Sequence, residues 1–274
     1  MKFSAFLLAA ISVSLIASCA RNAESPVTGP SPKESAPVEV LDLSYPFDEN
    51  TVYWVTAKDF ERETVAEGKT DKGYYYSAYN YEGAEHGGTH IDSPVHFAEG
   101  RLTVDKIPLD RLMGDAVKID VSSKALSDAD YLVSRADFEA WEKANGEIPQ
   151  GAIVLIQTGF GRYYPDKEKY LGTAKRGEEA VKELHFPGLD PEAAKWLVDE
   201  RKVRAVGIDT ASIDRGQSEL FESHVALMTN DVPAFENVAN LESVPAKGFR
   251  VTALPMKIKG GSGAPLRIIA EVRK

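Results

Sequence analysis

Five histidines occur in the chain, and three of them, His86, His90 and His96, crowd into one 11-residue stretch that also holds Asp92. The surrounding sequence reads EHGGTHIDSPVHF. Imidazole nitrogens beside a carboxylate oxygen form a ligand set suited to zinc, with manganese or iron as alternatives. His86 and His90 stand four residues apart, as a helical zinc motif requires. Gly87, Gly88 and Thr89 between them are poor helix formers, however, and Pro94 follows closely. In an extended segment, residues of equal parity share a face. A strand-and-loop segment therefore aims His86, His90, Asp92 and His96 to one side, and the two glycines let the backbone bend or approach a ligand. Three surface histidines in a polar turn would be the better account of an isolated HxxxH. The addition of Asp92 and His96 shifts the balance to a metal.

An ion held this way, with open positions, does hydrolytic chemistry. It lowers the pKa of bound water towards ~7, giving a hydroxide able to attack a carbonyl. It also polarises that carbonyl and stabilises the tetrahedral oxyanion. Other chemistries lack their residues. Cys19 is the only cysteine and lies at the far N-terminus, so a catalytic thiol is excluded. No GxSxG elbow supports a serine triad. The glycine run at Gly260 lacks the GK[ST] ending of a phosphate loop and reads as a tight turn.

The segment from His86 to His96 matches the HxGTHxDxPxH signature and resembles the kynurenine formamidase and cyclase family. Further blocks resemble that family in the same order: Asp42-Leu43-Ser44, Thr51-Val52-Tyr53-Trp54, Gly207-Ile208-Asp209-Thr210 with Ser212 and Asp214, Ser223-His224, Phe235-Glu236-Asn237, and Gly260 to Pro265. The likeness runs from about Asp42 to the end. It implies a swivelling β/β/α fold and a divalent metal, zinc foremost and manganese second, as one or two ions. His86, His90 and Asp92 occupy the positions of the first metal's ligands, with Asp92 also the bridge to a second metal in dinuclear members. His224 and Glu236, 12 residues apart, occupy the remaining ligand positions. His96 falls at the general acid/base position, a role worth ~10²–10⁴-fold. Trp54 matches an aromatic that stacks on substrate. Read without the family, Glu236 could be a surface carboxylate and Trp54 a core residue. The block His185-Phe186-Pro187-Gly188, after a long stretch Tyr163–Leu184, looks more like the isatin-hydrolase and cyclase-like branch. There His185 either lines the pocket or caps a turn.

The implied activity is hydrolysis of a small amide, either an N-formyl arylamine such as N-formylkynurenine or a cyclic amide such as isatin. A cyclase or dehydratase using the same ion, and a lipid-anchored metal- or solute-binding protein without turnover, are the competing readings. A homo-oligomer, dimer or tetramer, is expected.

These groups need a scaffold. Short apolar runs at Ala116–Val121, Gly151–Thr158, Val203–Asp209, Phe249–Ile258 and Leu266–Val272 read as strands. Ser134 with Asp137 opens a helix over Arg135–Asn145 as a capping-box-like start. Asp190 and Pro191 open another over Glu192–Lys202. Runs such as AIVLIQ are apolar on both faces. The pattern predicts a single α/β domain with a mixed sheet or barrel-like core and flanking helices.

With 274 residues, 43% of them hydrophobic, the chain can bury a sizeable core. Its 32 basic and 42 acidic residues, with no basic cluster, argue against a nucleic-acid partner. Met1-Lys2, an apolar stretch Phe3–Ile16 and then Ala17-Ser18-Cys19 read as a secretory signal ending in a bacterial lipoprotein box. The apolar stretch is too short to span a membrane, which needs roughly 20 residues. The expected organisation is a signal peptide over 1–18, an acylated Cys19 with a Pro/Ser-rich tether over 19–37, and the hydrolase domain over 38–274. The protein is then exported and lipid-anchored to a bacterial membrane surface, facing the periplasm or the cell exterior.

Overall fold

A computed structural model describes residues 37–273. The signal segment, Cys19 and nearly all of the tether lie outside the described residues.

The described residues contribute twelve strands: β1 (Val38–Asp42), β2 (Glu61–Lys69), β3 (Tyr75–Glu82), β4 (His90–Asp92), β5 (Met113–Asp120), β6 (Leu132–Val133), β7 (Ile153–Gln157), β8 (Gly188–Leu189), β9 (Ala205–Ile208), β10 (Ala234–Glu236), β11 (Lys247–Pro255) and β12 (Gly263–Arg273). Eight of them form one mixed sheet in the order β1-β12-β11-β5-β7-β9-β10-β4. The pairs β5–β7, β7–β9 and β9–β10 are parallel, and the others are antiparallel. β12 also pairs with β4, Gly263 opposite Asp92, and this contact closes the sheet into a barrel.

The two-sided burial read from the AIVLIQ run follows from this topology. All five residues of β7 are buried. Ile153 and Leu155 join the apolar cluster of Ile91, Phe235, Ala264 and Ile268, while Val154 and Ile156 join that of Phe138, Trp196 and Leu197. One face of the strand thus fills the barrel and the other packs on helices. Each such aliphatic side chain contributes about 1.5–3 kcal/mol when fully buried.

The helix Arg135–Asn145 has the expected bounds. The Asp137 carboxylate accepts from the Ser134 N–H at 2.8 Å and from its hydroxyl at 2.9 Å. The second expected helix runs over Pro191–Asp199, with Asp190 accepting from the N–H groups of Glu192 and Ala193. It stops short of Lys202 because that residue turns left-handed, with φ 50°, and leads the chain into β9. Two features were not anticipated. β2 and β3 form a separate antiparallel hairpin, exposed along most of its length. β4 and β10 are strands of three residues each, and they carry chemistry.

Candidate metal centre and active site

β4 places His90 and Asp92 on one face, two residues apart, and its partner β10 sets Glu236 directly opposite His90. Both strands are buried throughout. Equal parity therefore explains His90 and Asp92, but the extended segment does not reach the other two histidines. His86 approaches through a turn at Gly87-Gly88. Gly88 has φ +54°, and a Cβ there would meet the side chains of Phe47 and Thr51 at 2.9 Å. A Cβ on Gly87 would fall 2.1 Å from the Tyr53 ring. These glycines are the price of bringing His86 Nδ1 to 2.6 Å from Asp92 Oδ1. His96 sits on a single 3₁₀ turn, Pro94–His96, begun by the proline.

His224 comes from the other side, on the helix Glu222–Met228. Its Nε2 lies 3.0 Å from Asp92 Oδ2 and 3.1 Å from Glu236 Oε1. His90 Nε2 lies 3.2 Å from Asp92 Oδ1 and 3.3 Å from Glu236 Oε2. Two carboxylates thus bracket two imidazoles, and every oxygen of the pair faces a ring nitrogen. The far nitrogens are held as well: His90 Nδ1 donates to the Gly88 carbonyl at 2.9 Å, and His224 Nδ1 meets Asp214 Oδ2 at 2.6 Å. Such partners fix the tautomer and turn Nε2 inward, as ligating histidines require.

Electrostatics carries the same signature. Burial pulls the His90 imidazolium down, but hydrogen bonds to Asp92 and Glu236 overcome it and push the pKa up to about 10. Burial likewise opposes charge on His224, yet Asp214, Asp92 and Glu236 raise it well above its ordinary value. Asp92 is held well below its own, against burial, by His86, His224 and His90. The buried carboxylates demand positive charge between them, and a divalent cation meets that demand. The donors form two overlapping groups, His86-His90-Asp92 and Asp92-His224-Glu236, each with ligand atoms within 4.8 Å of one another. They fit a divalent metal.

His96 is in neither group. Its ring stacks on His86, centroids 3.9 Å apart and 20° from parallel, and touches Phe97 edge-on. Among the described residues, none hydrogen-bonds the His96 ring. Loss of surrounding water pushes its imidazolium down, more than Asp92 pushes it up, to about 4. The ring is neutral near pH 7 with its nitrogens free.

These groups line a cavity of about 300 Å³. Trp54 lines it too, set edge-on to Phe186 and Phe221. His185 does not line it. Its neighbours Leu184 and Phe186 are buried, so the extended chain turns His185 outward, where Nδ1 meets Asp130 at 3.0 Å. It is placed on the surface, off the cavity, with its ring on Asp130 and Gln217 and, among the described residues, no backbone N–H capped by it. The residues that sequence reasoning left without roles are Asp214, Asn237, Ser262, Phe97 and Phe221. Ser262 Oγ meets His86 Nε2 at 2.8 Å, and Asn237 Nδ2 donates to the Gly88 carbonyl at 2.7 Å. Asp214, Asn237 and Ser262 stand in blocks already picked out by resemblance, which was the only signal available. Phe97 and Phe221 gave none.

The model of the Cyclase family ("Putative cyclase") matches residues 41–215. The chain is 29% identical to an isatin hydrolase of Roseibium aggregatum over 256 residues, 88% of this chain and 94% of that one. It is 30% identical to a kynurenine formamidase of Salinibacter ruber over 184 residues, 67% of this chain and 74% of that one. A solved isatin hydrolase bound to the product analogue thioisatinate superposes with a TM-score of 0.77 at 28% identity, covering 86% of this chain and 93% of that one. The barrel, the converging ligands and these likenesses agree: the chain belongs to the Cyclase family and is a metal-dependent hydrolase acting on a small molecule.

Proposed function

We propose that the protein opens a cyclic aryl amide of the isatin type, with N-formyl arylamines such as N-formylkynurenine as the second substrate class. One observation carries the reading: a single cavity joins a carboxylate-bracketed imidazole pair, a free neutral imidazole and aromatic walls. The isatin type is put first because that alignment spans nearly all of both chains.

In the reaction, water oxygen adds to the amide carbonyl carbon and the C–N bond breaks. The acyl carbon ends as a carboxylate, and the nitrogen leaves as an arylamine carrying a proton. A divalent ion supplies the Lewis acidity that polarises this carbonyl. In this reading His86, His90, Asp92, His224 and Glu236 hold it, and their sharing of Asp92 supports one ion or two. Zinc is the first choice and manganese the second for a nitrogen and oxygen donor set without sulfur. His96 takes the proton from the attacking water and delivers it to nitrogen, for which a neutral, unpartnered ring is suited. Trp54 packs against the arene.

The test is metal content together with turnover of isatin, N-formylkynurenine, formanilide and a lactone by the metal-loaded protein. Amide turnover should vanish with a chelator and return with zinc or manganese. A metal-loaded protein that turns over only the lactone, or nothing, would overturn the reading.

Two further readings concern the whole chain. The lipoprotein-box sequence ending at Cys19 supports export and anchoring to a membrane surface, and Cys19→Ser should release the protein from membranes. The exposed hairpin supports a homo-oligomer.

A further inference from the structure

We propose that Phe221 is a specificity-determining residue, completing with Trp54 and Phe97 an aromatic slot that selects planar aryl substrates. The inference rests on the amide-hydrolase reading and names the substrate feature that the site measures.

The first observation is backbone geometry. Phe221 has φ 49° and ψ 43°, the left-handed region, where a side chain is costly and glycine or asparagine is the ordinary occupant. The conformation is held from both sides. Phe221 N–H donates to Ser218 Oγ at 3.1 Å, and its carbonyl accepts from Val225 N–H at 3.0 Å, in the first turn of the helix that carries His224.

The second observation is where the ring goes. It is only half-buried, so it contributes less to the core than a fully enclosed phenylalanine. Its neighbour Leu220 points to solvent, 73% exposed, whereas the Phe221 ring lines the cavity. There it stands 6.3 Å from Trp54 at 61° and 5.2 Å from Phe97 at 38°, between centroids. Phe97 in turn lies 4.4 Å from the His224 ring at 32°. The aromatic wall therefore runs from Trp54 across Phe221 and Phe97 to a metal-site histidine. A strained backbone that spends a large ring on a half-exposed wall is poorly explained by folding and well explained by recognition. Rings at these angles offer both faces and edges to a flat arene, which an aliphatic ring of equal size cannot match.

The experiment uses the metal-loaded full chain. It compares kcat/KM for formanilide and N-cyclohexylformamide, which share the reacting group and differ in planarity. The variants are Phe221→Tyr, Phe221→Leu and Phe221→Gly. Wild type and Phe221→Tyr should prefer formanilide. Phe221→Leu and Phe221→Gly should lose about tenfold of that preference, the scale of one aromatic contact, chiefly through KM. Thermal unfolding separates this from damage: Phe221→Gly relieves the left-handed backbone and should not unfold earlier than Phe221→Leu. A Phe221→Leu protein that keeps the full aryl preference would overturn the proposal. If wild type cleaves neither formamide, binding decides the slot by calorimetry with benzoate and cyclohexanecarboxylate, and the hydrolase reading itself fails only if isatin is not opened either. Preference for benzoate in wild type, lost in Phe221→Leu, supports it; equal binding in wild type overturns it.

Discussion

The two groups that differ most in this cavity are chemically the same. His224 and His96 are both imidazoles, with ring centroids 6.2 Å apart. His224 is clamped by three carboxylates and driven towards the charged form, whereas His96 has no hydrogen-bonding partner among the described residues and is driven to the neutral one. Environment, rather than residue type, divides ligand from proton carrier. Replacement of His96 by alanine should therefore leave metal content unchanged and lower kcat/KM by about 10²–10⁴-fold, or ~3–5 kcal/mol of transition-state stabilisation. Metal analysis and kinetics on the same preparations check this. Loss of the metal with His96 would make it a ligand. Full activity with the metal in place would assign the proton to another group.

At the scale of elements, what could be read in the sequence was what is local. The Ser134–Asp137 start and the Asp190-Pro191 start announce their helices because caps act over three residues. The buried runs that became β7 and β9 show themselves by composition. The three-residue strands β4 and β10 have no periodicity of their own. Their pairing, and the closure of β12 onto β4, depends on residues more than a hundred positions apart. The histidine cluster was legible as chemistry, while its geometry was only half right, since Gly88 and the Pro94 turn, not strand parity, deliver His86 and His96. Asp214 was illegible as a support because its meaning depends on which nitrogen of His224 faces inward. The helix cap yields its own prediction. Burial opposes ionisation of Asp137, but hydrogen bonds from Lys124, Ser134 and Tyr131 outweigh it and lower its pKa below the ordinary 3.8. A carboxylate lowered in the fold stabilises above its unfolded pKa, and that contribution is lost as pH falls through the folded value. Asp137→Ala should cost about 1–3 kcal/mol at pH 7, where the cap and a buried charged hydrogen bond are removed together. Urea unfolding at pH 7 and at pH 3 should show the gap between wild type and variant narrowing at the lower pH. A gap that widens would contradict the assignment.

At the scale of the molecule, the hairpin β2–β3 is the part that the barrel does not explain. Its base is tied down: Phe60 stacks on Tyr81 with centroids 5.9 Å apart, and Tyr81 reaches the Met256 sulfur at 3.7 Å. Towards its tip, Tyr74, Tyr75 and Tyr76 are each more than half exposed, as is Val65 on the facing strand. A two-stranded ribbon is marginal in water by itself, and internal contacts such as Arg62 over the Tyr79 ring, 4.1 Å from its centroid, add little at an exposed site. Exposed tyrosines on such a ribbon suit a protein interface, where this residue type concentrates binding energy. On the homo-oligomer reading, the surface they meet belongs to a second copy of the chain. The double variant Tyr75→Ser/Tyr76→Ser should then weaken self-association by about 30–1,000-fold, corresponding to ~2–4 kcal/mol for two interface tyrosines. Sedimentation of wild type and variant over a range of protein concentrations reads this directly. Metal content should not change, because neither tyrosine is among the groups that converge on Asp92. A wild type that sediments as a monomer at tens of micromolar, or a variant that associates as strongly as wild type, would leave the hairpin with some other partner.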